Sequence, residues 1–370
     1  MKICYIANSA LPSDNASSLQ IINMCHSFEL AGNKTILILP NTGFSKSVKK
    51  FYNLKKNIKI IRCRNFKKFP IGVNYYLYAF VAIIKSLNFK IDYYMTRNYF
   101  CAFLLHLLGK KIIFELHHDL QLEGKIIRFL VSKLKFFKHS NFYLLVAITK
   151  GVAKYYLNKD IINKKKLIIL PSASELKIKY QPQKFYKKKF CVGYFGNFYK
   201  SRGSEFILKL ANKDTRNDYY IFSNFKKLDK NILFKKDNIF QMNFVDRSKI
   251  SYYLKKMDIL ILPYQNKITV KGNVGDITKY TSPMKLFDYL ASGKLILSSN
   301  LNVLKEIIEH NKNCIFIKNY KNEDSWIKKI EYYKRYFDKK NLISKQGYLL
   351  SKKYTYASRV NRIIKELKIL

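Results

Sequence analysis

Strand-like apolar runs alternate with helix-forming segments along this chain, and the alternation starts a second time near its middle. Residues 2–7 form a short apolar run, a helical pattern spans about 18–30, and a β-rich run follows at 35–39. A strand–helix–strand order of this kind predicts a parallel sheet. The same order resumes with an apolar run at 191–195. We therefore predict an α/β chain with two Rossmann-like, doubly wound domains that face a central cleft.

The domain boundaries follow from the length of the chain and from a change in its composition. A chain of 370 residues exceeds the roughly 250–300 residues at which single cores stop growing. Residues 173–190 are polar, lysine-rich and aperiodic, which is typical of a linker. The predicted domains are 1–172 and 191–350, and a C-terminal segment follows at 351–370. Further strands are predicted at 58–63, 92–96, 111–115, 143–148 and 167–170, and at 219–223, 239–242, 259–262, 295–298 and 314–317.

The formal net charge of +46 suggests an anionic partner. The lysines are scattered over nearly every segment beside many Ile, Asn, Phe and Tyr, so much of the charge reflects overall composition. No interleaved aromatic and glycine signature of an RNA-recognition domain accompanies it. Nucleic acid is therefore not the expected partner, although a basic RNA-binding protein stays open as an alternative.

The cysteines and the apolar runs limit the cellular compartment and the cofactors that we expect for this protein. The six cysteines are far apart, without the paired spacing of a zinc site. No apolar run approaches the ~18 residues needed to span a bilayer. We expect a cytoplasmic protein with reduced thiols and with no metal or other cofactor.

The segment Y-T-S-P-M-K-L-F-D-Y-L-A-S-G-K at 280–294 carries the most chemistry. Ser282 is expected to cap a helix whose first residue is Pro283. Such a helix start presents free N–H groups and the positive end of the helix dipole to an anion. The candidate contacts for a diphosphate are Tyr280, Thr281, Ser282, Pro283, Met284 and Lys285.

Lys285 and Asp288 lie three residues apart, so they share one face of this helix. A cation beside the phosphates and a carboxylate one turn further along would suit a nucleoside diphosphate, whose ribose hydroxyls need an acceptor. The alternative interpretation is an exposed ion pair on an ordinary helix.

With D-I-L-I-L-P-Y before it (258–264) and L-N-V-L-K-E-I-I after it (301–308), this segment resembles the donor-binding signature of glycosyltransferase family 4, the retaining enzymes of the GT-B fold. The resemblance implies that Asp288 is an active-site residue that holds the ribose, in place of the second of two family glutamates. Tyr280 stands where the first glutamate is found. An inactive transferase scaffold is the alternative that Tyr280 raises.

A second match to the same family lies in V-G-Y-F-G-N-F-Y-K-S-R-G at 192–203. It resembles the first strand and loop of the family's donor domain, where a glycine admits the donor and basic residues clamp the diphosphate. The resemblance makes Gly196, Asn197, Lys200 and Arg202 donor-binding candidates, and Arg202 is favoured for its planar guanidinium. Two ordinary surface charges are the alternative interpretation of Lys200 and Arg202.

In the first domain, F-E-L-H-H at 114–118 and V-A-I-T-K at 146–150 resemble family positions at the cleft. The resemblance implies that His117 contacts the transferred sugar as a catalytic-site residue. His118 as the functional histidine, or a purely structural role for His117, are the alternatives. The segment 354–367 resembles the C-terminal helix that crosses back to the N-terminal domain in this fold.

The segment K-I-I-R-F-L-V-S-K-L-K-F-F-K at 125–138 predicts one amphipathic helix. Its predicted core stripe is Ile126, Ile127, Leu130, Val131, Leu134 and Phe137. On the basic face, the predicted membrane-docking residues are Lys125, Arg128, Phe129, Lys133 and Phe136. Aromatic side chains in a basic face suit insertion at an anionic membrane surface; a solvated lysine face is the alternative.

The resemblance implies a bacterial-type glycosyltransferase that moves a hexose-type sugar from a nucleotide diphosphate donor to a glycan or lipid-linked acceptor. By the resemblance, transfer is retaining and metal-independent, and the pathway is surface polysaccharide or lipopolysaccharide assembly. The site of action is the cytoplasm or the inner face of the plasma membrane. A sugar-nucleotide epimerase of the same fold is the alternative enzyme, and the sequence leaves the oligomeric state open.

Overall fold

The protein is described by a computed structural model. The structure describes residues 1–13, 15–42, 47–66, 68–182, 189–223, 225, 236–243, 245–269 and 275–369. The chain divides into two compact units, which we call unit 1 (Met1–Ser172 with Tyr356–Leu370) and unit 2 (Ala173–Thr355). Part of the predicted linker, 183–188, lies outside the described residues.

Unit 1 contains a seven-stranded sheet whose paired strands are all parallel. Its strands are β1 (Lys2–Ile6), β2 (Lys34–Pro40), β3 (Lys59–Cys63), β4 (Tyr93–Thr96), β5 (Ile112–Leu116), β6 (Phe142–Ala147) and β7 (Leu167–Ile169). Its first six helices are α1 (Ala16–Leu30), α2 (Val48–Phe51), α3 (Ile71–Leu87), α4 (Tyr99–Leu107), α5 (Lys125–Ser132) and α6 (Lys150–Asn158). The strand order is β3-β2-β1-β4-β5-β6-β7, so the order reverses between β1 and β4.

Unit 2 repeats this plan with a six-stranded parallel sheet. Its strands are β8 (Cys191–Phe195), β9 (Asp218–Ser223), β10 (Ile239–Asn243), β11 (Ile259–Leu262), β12 (Leu295–Ser299) and β13 (Ile315–Ile317). Its helices are α7 (Ser204–Lys213), α8 (Ile250–Lys256), α9 (Met284–Ser292), α10 (Glu323–Arg335) and α11 (Phe337–Ser351). The order β10-β9-β8-β11-β12-β13 reverses between β8 and β11. In open parallel sheets, ligands bind at the carboxyl ends of strands at such a reversal.

The last helix, α12 (Tyr356–Ile369), belongs to unit 1 although unit 2 precedes it in the chain. It packs against α1 and β6, and the Tyr356 hydroxyl donates to the Gln20 side-chain oxygen at 3.0 Å. The predicted fold class, two doubly wound α/β domains with a C-terminal helix that returns to the first, is confirmed.

The prediction of one continuous amphipathic helix at 125–138 is wrong. α5 ends at Ser132, Lys135 adopts a left-handed conformation (φ 46°), and Phe136 begins a separate 3-10 turn. This turn points Phe136 inward, where its ring packs against Phe103 and Phe142 and the residue is only 1% exposed. Ile126 and Leu134, which were predicted to face the core, are exposed.

The other predicted docking residues, Lys125, Arg128, Phe129 and Lys133, are exposed as expected. Among the described residues, no helix combines the length and the apolarity that crossing a bilayer requires.

Candidate functional site

The strand reversal between β8 and β11 is the centre of the candidate site in unit 2. The loop after β8 packs directly on the end of β11. At Gly203, which has φ +82°, a Cβ atom would lie 2.0 Å from the carbonyl oxygen of Pro263. The Gln265 N–H donates to the Ser201 carbonyl at 3.2 Å. Only glycine fits this close approach in this backbone conformation, so Gly203 fixes the loop against the neighbouring strand.

Lys285 enters the same place from the first turn of α9. Its Nζ atom lies 4.0 Å from the ring centroid of Tyr194 and 5.2 Å from that of Tyr264. A Cβ atom on Gly196 would lie 2.8 Å from this Nζ, and Gly196 has φ +146°. Glycine at 196 therefore makes room for the ammonium group at the end of β8.

Arg202 brings a second cation to the site. Its Nη1 donates to the Tyr264 hydroxyl at 3.4 Å, and its guanidinium carbon lies 5.5 Å from the Tyr264 ring centroid. Burial, and then the charge of Arg202, lower the pKa of Lys285 well below its usual range. Within the described chain, the buried Lys285 Nζ and Arg202 Nε atoms have no hydrogen-bond partner. Two basic side chains whose buried nitrogen atoms lack a partner among the described residues fit an anionic ligand.

The start of α9 adds backbone donors to these cations. The helix begins at Met284, and Pro283 is its N-cap residue with φ −74° and ψ 116°. The predicted cap by Ser282 is wrong, because the extended ψ of Pro283 delays the helix by one residue. The Leu286 N–H donates to the Pro283 carbonyl at 3.0 Å. The preceding N–H groups of the first turn have no partner inside the helix and suit an anion.

The remaining donor candidates differ in their placement. Thr281 is buried, and the Tyr280 N–H donates to the Ile277 carbonyl at 2.9 Å. Asn197 is exposed, and its carbonyl accepts from the Tyr194 hydroxyl at 2.9 Å. Lys200 is exposed, and its ammonium group lies 3.6 Å from the Glu205 carboxylate. The structure thus groups Gly196, Arg202 and Lys285, while Lys200 points its charge toward Glu205.

Asp288 lies in a buried ionic cluster that the sequence did not reveal. Arg247 donates two hydrogen bonds to its carboxylate at 2.6 and 2.7 Å, and the Ser174 hydroxyl donates a third at 2.6 Å. Arg247 also donates through Nε to Glu175. The predicted ribose acceptor is therefore held by residues far away in the chain. An arginine in a chain whose cations are mostly lysine was the available signal for Arg247.

The charges of this cluster depend on one another. Burial raises the pKa of Asp288, whereas Arg247 and Ser174 oppose that rise. Burial alone would lower the pKa of Arg247, but the Asp288 and Glu175 carboxylates raise it well above its usual range. The bidentate pair favours the ionised form of both partners, so we assign Asp288 as a carboxylate.

A second ionisable cluster lies in unit 1 at the end of β5. The Nε2 atom of His117 lies 3.1 Å from the buried Glu115 carboxylate, which accepts from Arg359 Nη2 of α12 at 2.7 Å. Burial, and then the charge of Arg97, lower the pKa of His117 to about 4. His117 is therefore a neutral imidazole at physiological pH.

The neighbouring His118 has its own partners. Its Nδ1 atom lies 2.8 Å from the Asp119 carbonyl, and its Nε2 atom lies 3.5 Å from Glu123. Neither histidine has a metal-like surrounding: the described part of the chain contains no group of three or more His, Cys, Asp or Glu side chains that could hold a metal ion.

Comparison with solved structures identifies the fold as that of the GT-B glycosyltransferases. HepE from Anabaena, in complex with UDP, superposes with a TM-score of 0.74 at 12% identity, over 100% of both chains. A glycosyltransferase from Rickettsia africae gives a TM-score of 0.70 at 15% identity, over 99% of this chain and 97% of that one. The lipopolysaccharide outer core galactosyltransferase WaaB, in its apo form, gives 0.66 at 13% identity, over 100% and 99%.

The sequence comparison is confined to unit 2. Residues 177–349 match the family model for group 1 glycosyl transferases. No protein with a curated description matches the chain in sequence. The matched segment contains the strand reversal and both halves of the Arg202 and Lys285 pair.

Proposed function

We propose that this chain is a glycosyltransferase that binds a nucleotide diphosphate sugar at the β8–β11 reversal of unit 2. One observation carries the proposal: Lys285 and Arg202 place two basic side chains beside the start of α9, and the buried Lys285 Nζ and Arg202 Nε have no hydrogen-bond partner in the described chain. A diphosphate would supply the missing anion. Similar folds solved with UDP and with UDP-glucose support this choice of ligand.

The same groups suit the chemistry of glycosyl transfer. As the bond between the sugar and the diphosphate breaks, negative charge grows on the leaving phosphate oxygens. Lys285, Arg202 and the first N–H groups of α9 are fixed donors that would stabilise that charge, each positioned before the reaction. We propose transfer without a metal ion on this basis, and retention of configuration on the family resemblance.

The sugar, the acceptor and the pathway complete the proposal. We propose a hexose-type sugar and a glycan or lipid-linked acceptor, in surface polysaccharide or lipopolysaccharide synthesis. The similarity to WaaB supports this pathway. In unit 1, His117 is the proposed sugar contact, because a neutral imidazole with a side chain 24% exposed can donate or accept a hydrogen bond.

The test is calorimetry of the full chain with UDP, GDP and ADP, each beside its monophosphate. We expect one diphosphate to bind more tightly than its monophosphate, and Arg202→Ala to weaken that binding by roughly tenfold to a hundredfold. Equal affinity for diphosphate and monophosphate, unchanged in Arg202→Ala, would exclude the site.

Product analysis separates the alternatives that the sequence left open. Incubation with the matching nucleotide sugar should yield transferred or hydrolysed sugar. That sugar should keep its configuration at every carbon other than the anomeric one. An epimerised sugar would indicate the epimerase instead. Binding of RNA that exceeds nucleotide binding at high salt would favour the basic RNA-binding protein.

A further inference from the structure

The outward face of α3 in unit 1 is apolar and exposed. The inner face of this helix packs on the sheet, where the buried Tyr78 hydroxyl donates to the Ala7 carbonyl at 2.8 Å. On the opposite face, Val73, Phe80, Ile84 and Leu87 are all exposed. Their spacing places them on one stripe of the helix. An exposed apolar stripe of this length on a folded unit marks an interaction surface.

The two neighbouring helices also carry exposed apolar side chains. α3 packs against α4, and α4 contacts α5. The ring centroids of Tyr76 and Phe100 are 4.7 Å apart, which joins α3 to α4 through aromatic contact. Further exposed apolar side chains follow on and after α4 and α5. We define the apolar face of unit 1 as Val73, Phe80, Ile84, Leu87, Leu107, Leu108, Ile126, Phe129 and Leu134.

The three helices that carry this face are positively charged. α3, α4 and α5 contain no aspartate or glutamate, and they carry Lys85, Lys125 and Arg128. Exposed lysines flank the helices in sequence at positions 68, 90 and 133, and Lys135 also follows α5 but pairs with Asp160 at 3.0 Å. A second copy of this chain would bring the same positive charge, so self-association through the face is disfavoured. Separate apolar side chains among lysines and arginines match the headgroup region of an anionic bilayer.

We propose that the apolar face of unit 1 docks on an anionic lipid bilayer. The stripe on α3 inserts its large side chains at the acyl boundary, and Phe129 and Ile126 on α5 add a second point of insertion. This surface differs from the basic helix face expected from the sequence, because Phe136 takes no part and α3 becomes the principal element. Docking of this kind does not depend on the proposed transferase activity.

Sedimentation with vesicles tests this surface on the full chain. Vesicles of equal parts phosphatidylglycerol and phosphatidylcholine are compared with vesicles of phosphatidylcholine alone. The test variant is Phe80→Ser with Ile84→Ser, two residues that are 56% and 51% exposed. The matched control is Leu342→Ser with Leu349→Ser on α11 of unit 2, which are 61% and 49% exposed. Circular dichroism verifies that each variant is folded, and Phe129→Ser provides an independent variant on α5.

We expect the wild-type chain and the α11 control to bind the anionic vesicles, and binding to weaken with salt. The α3 variant should bind the anionic vesicles at least roughly tenfold more weakly than the wild-type chain. Phe129→Ser should bind with an affinity between these two. Equal recovery of the α3 variant and the α11 control would overturn the proposal. It would also be overturned by equal binding to both vesicle types, or by a wild-type dimer that the α3 variant converts to a monomer without change in lipid binding.

Discussion

Lys285→Met is expected to stabilise the free protein while it weakens ligand binding. The Lys285 ammonium is buried without a hydrogen-bond partner in the described chain, and its pKa is lowered well below its usual range by burial and by Arg202. Methionine has a similar length and needs no solvation. In the free chain, the desolvated ammonium group costs free energy because no anion solvates it. The substitution removes this cost, and with it the group that would bind the charged ligand.

The magnitude follows from opposing contributions. Placing an unpaired polar group in the interior costs about 1–3 kcal/mol by mutational data, and an unpaired charge costs more. The contacts of Nζ with the rings of Tyr194 and Tyr264, at 4.0 and 5.2 Å, return about 2 kcal/mol while the buried group is charged. We therefore expect Lys285→Met to raise the free energy of unfolding by about 1 kcal/mol near neutral pH.

The pH dependence gives a second signature with a definite sign. Because the folded pKa of Lys285 is lowered, the unfolded chain binds the extra proton between that pKa and the unfolded value. Stability of the wild-type chain therefore gains up to about 1.4 kcal/mol per pH unit from this residue as pH rises through that window. Lys285→Met lacks this contribution, so the advantage of the variant should shrink toward alkaline pH.

Urea unfolding at a series of pH values measures both effects. The matched control is Lys209→Met, which removes an exposed lysine from α7 and should change stability by less than about 0.5 kcal/mol. A Lys285→Met variant that is less stable than wild type, or whose advantage does not vary with pH, would refute this account of the residue.

Two further substitutions test the ionic clusters. Asp288→Ala should destabilise the free protein by about 3–5 kcal/mol, because it leaves the buried guanidinium of Arg247 without its bidentate partner; thermal unfolding measures this, and a transition within a degree of wild type would count against the cluster. Arg359→Met should raise the pKa of His117 from about 4 by roughly one unit or more, because the negative charge of Glu115 is then less compensated; an NMR titration of the imidazole measures it, and an unshifted value would show that Arg359 does not act on the histidine. In the wild type, folding lowers the pKa of His117 from 6.5 to about 4, so the folded chain binds this proton more weakly than the unfolded chain does. The stability that the neutral imidazole contributes is therefore present above pH 6.5 and is lost as the pH falls toward 4.

The strands were predictable because a parallel sheet buries both of its faces. Cys191–Phe195 and Ile259–Leu262 are continuous apolar runs in the sequence, and both lie in the centre of the sheet of unit 2. A strand with helices on both sides has no polar face, so its limits coincide with the limits of the apolar run. The repeated alternation of such runs with helices sufficed to predict the fold class.

Two details of the local backbone geometry, the turn at Lys135 and the first residue of α9, were not predictable from the sequence. Lys135 is not a glycine, yet it adopts the left-handed conformation that ends the helical path and buries Phe136. Nothing in the residue type signals this turn, because the gain comes from packing of the ring in the core. The start of α9 was misplaced for a similar reason, since both Ser282 and Pro283 are suited to a helix start.

Contacts between residues that are far apart in the chain could not be predicted from the sequence. Arg202 and Lys285 were each singled out by a local pattern, but only the fold shows that both reach Tyr264. The partners of Asp288 come from Ser174 in the predicted linker and from Arg247 after β10. A single sequence does not specify which arginine meets which carboxylate across a folded sheet.

Proton uptake on ligand binding tests the central claim most directly. Calorimetry in two buffers of different ionisation enthalpy counts the protons bound with the ligand. It uses the tightest-binding of UDP, GDP and ADP at about pH 8, where the terminal phosphate is already ionised. A diphosphate beside Lys285 should raise the lowered pKa of the ammonium, so the wild-type chain should take up more protons on binding than Lys285→Met, which should also bind more weakly. Tight binding without proton uptake, at the same affinity in both proteins, would contradict the placement of the diphosphate at this site.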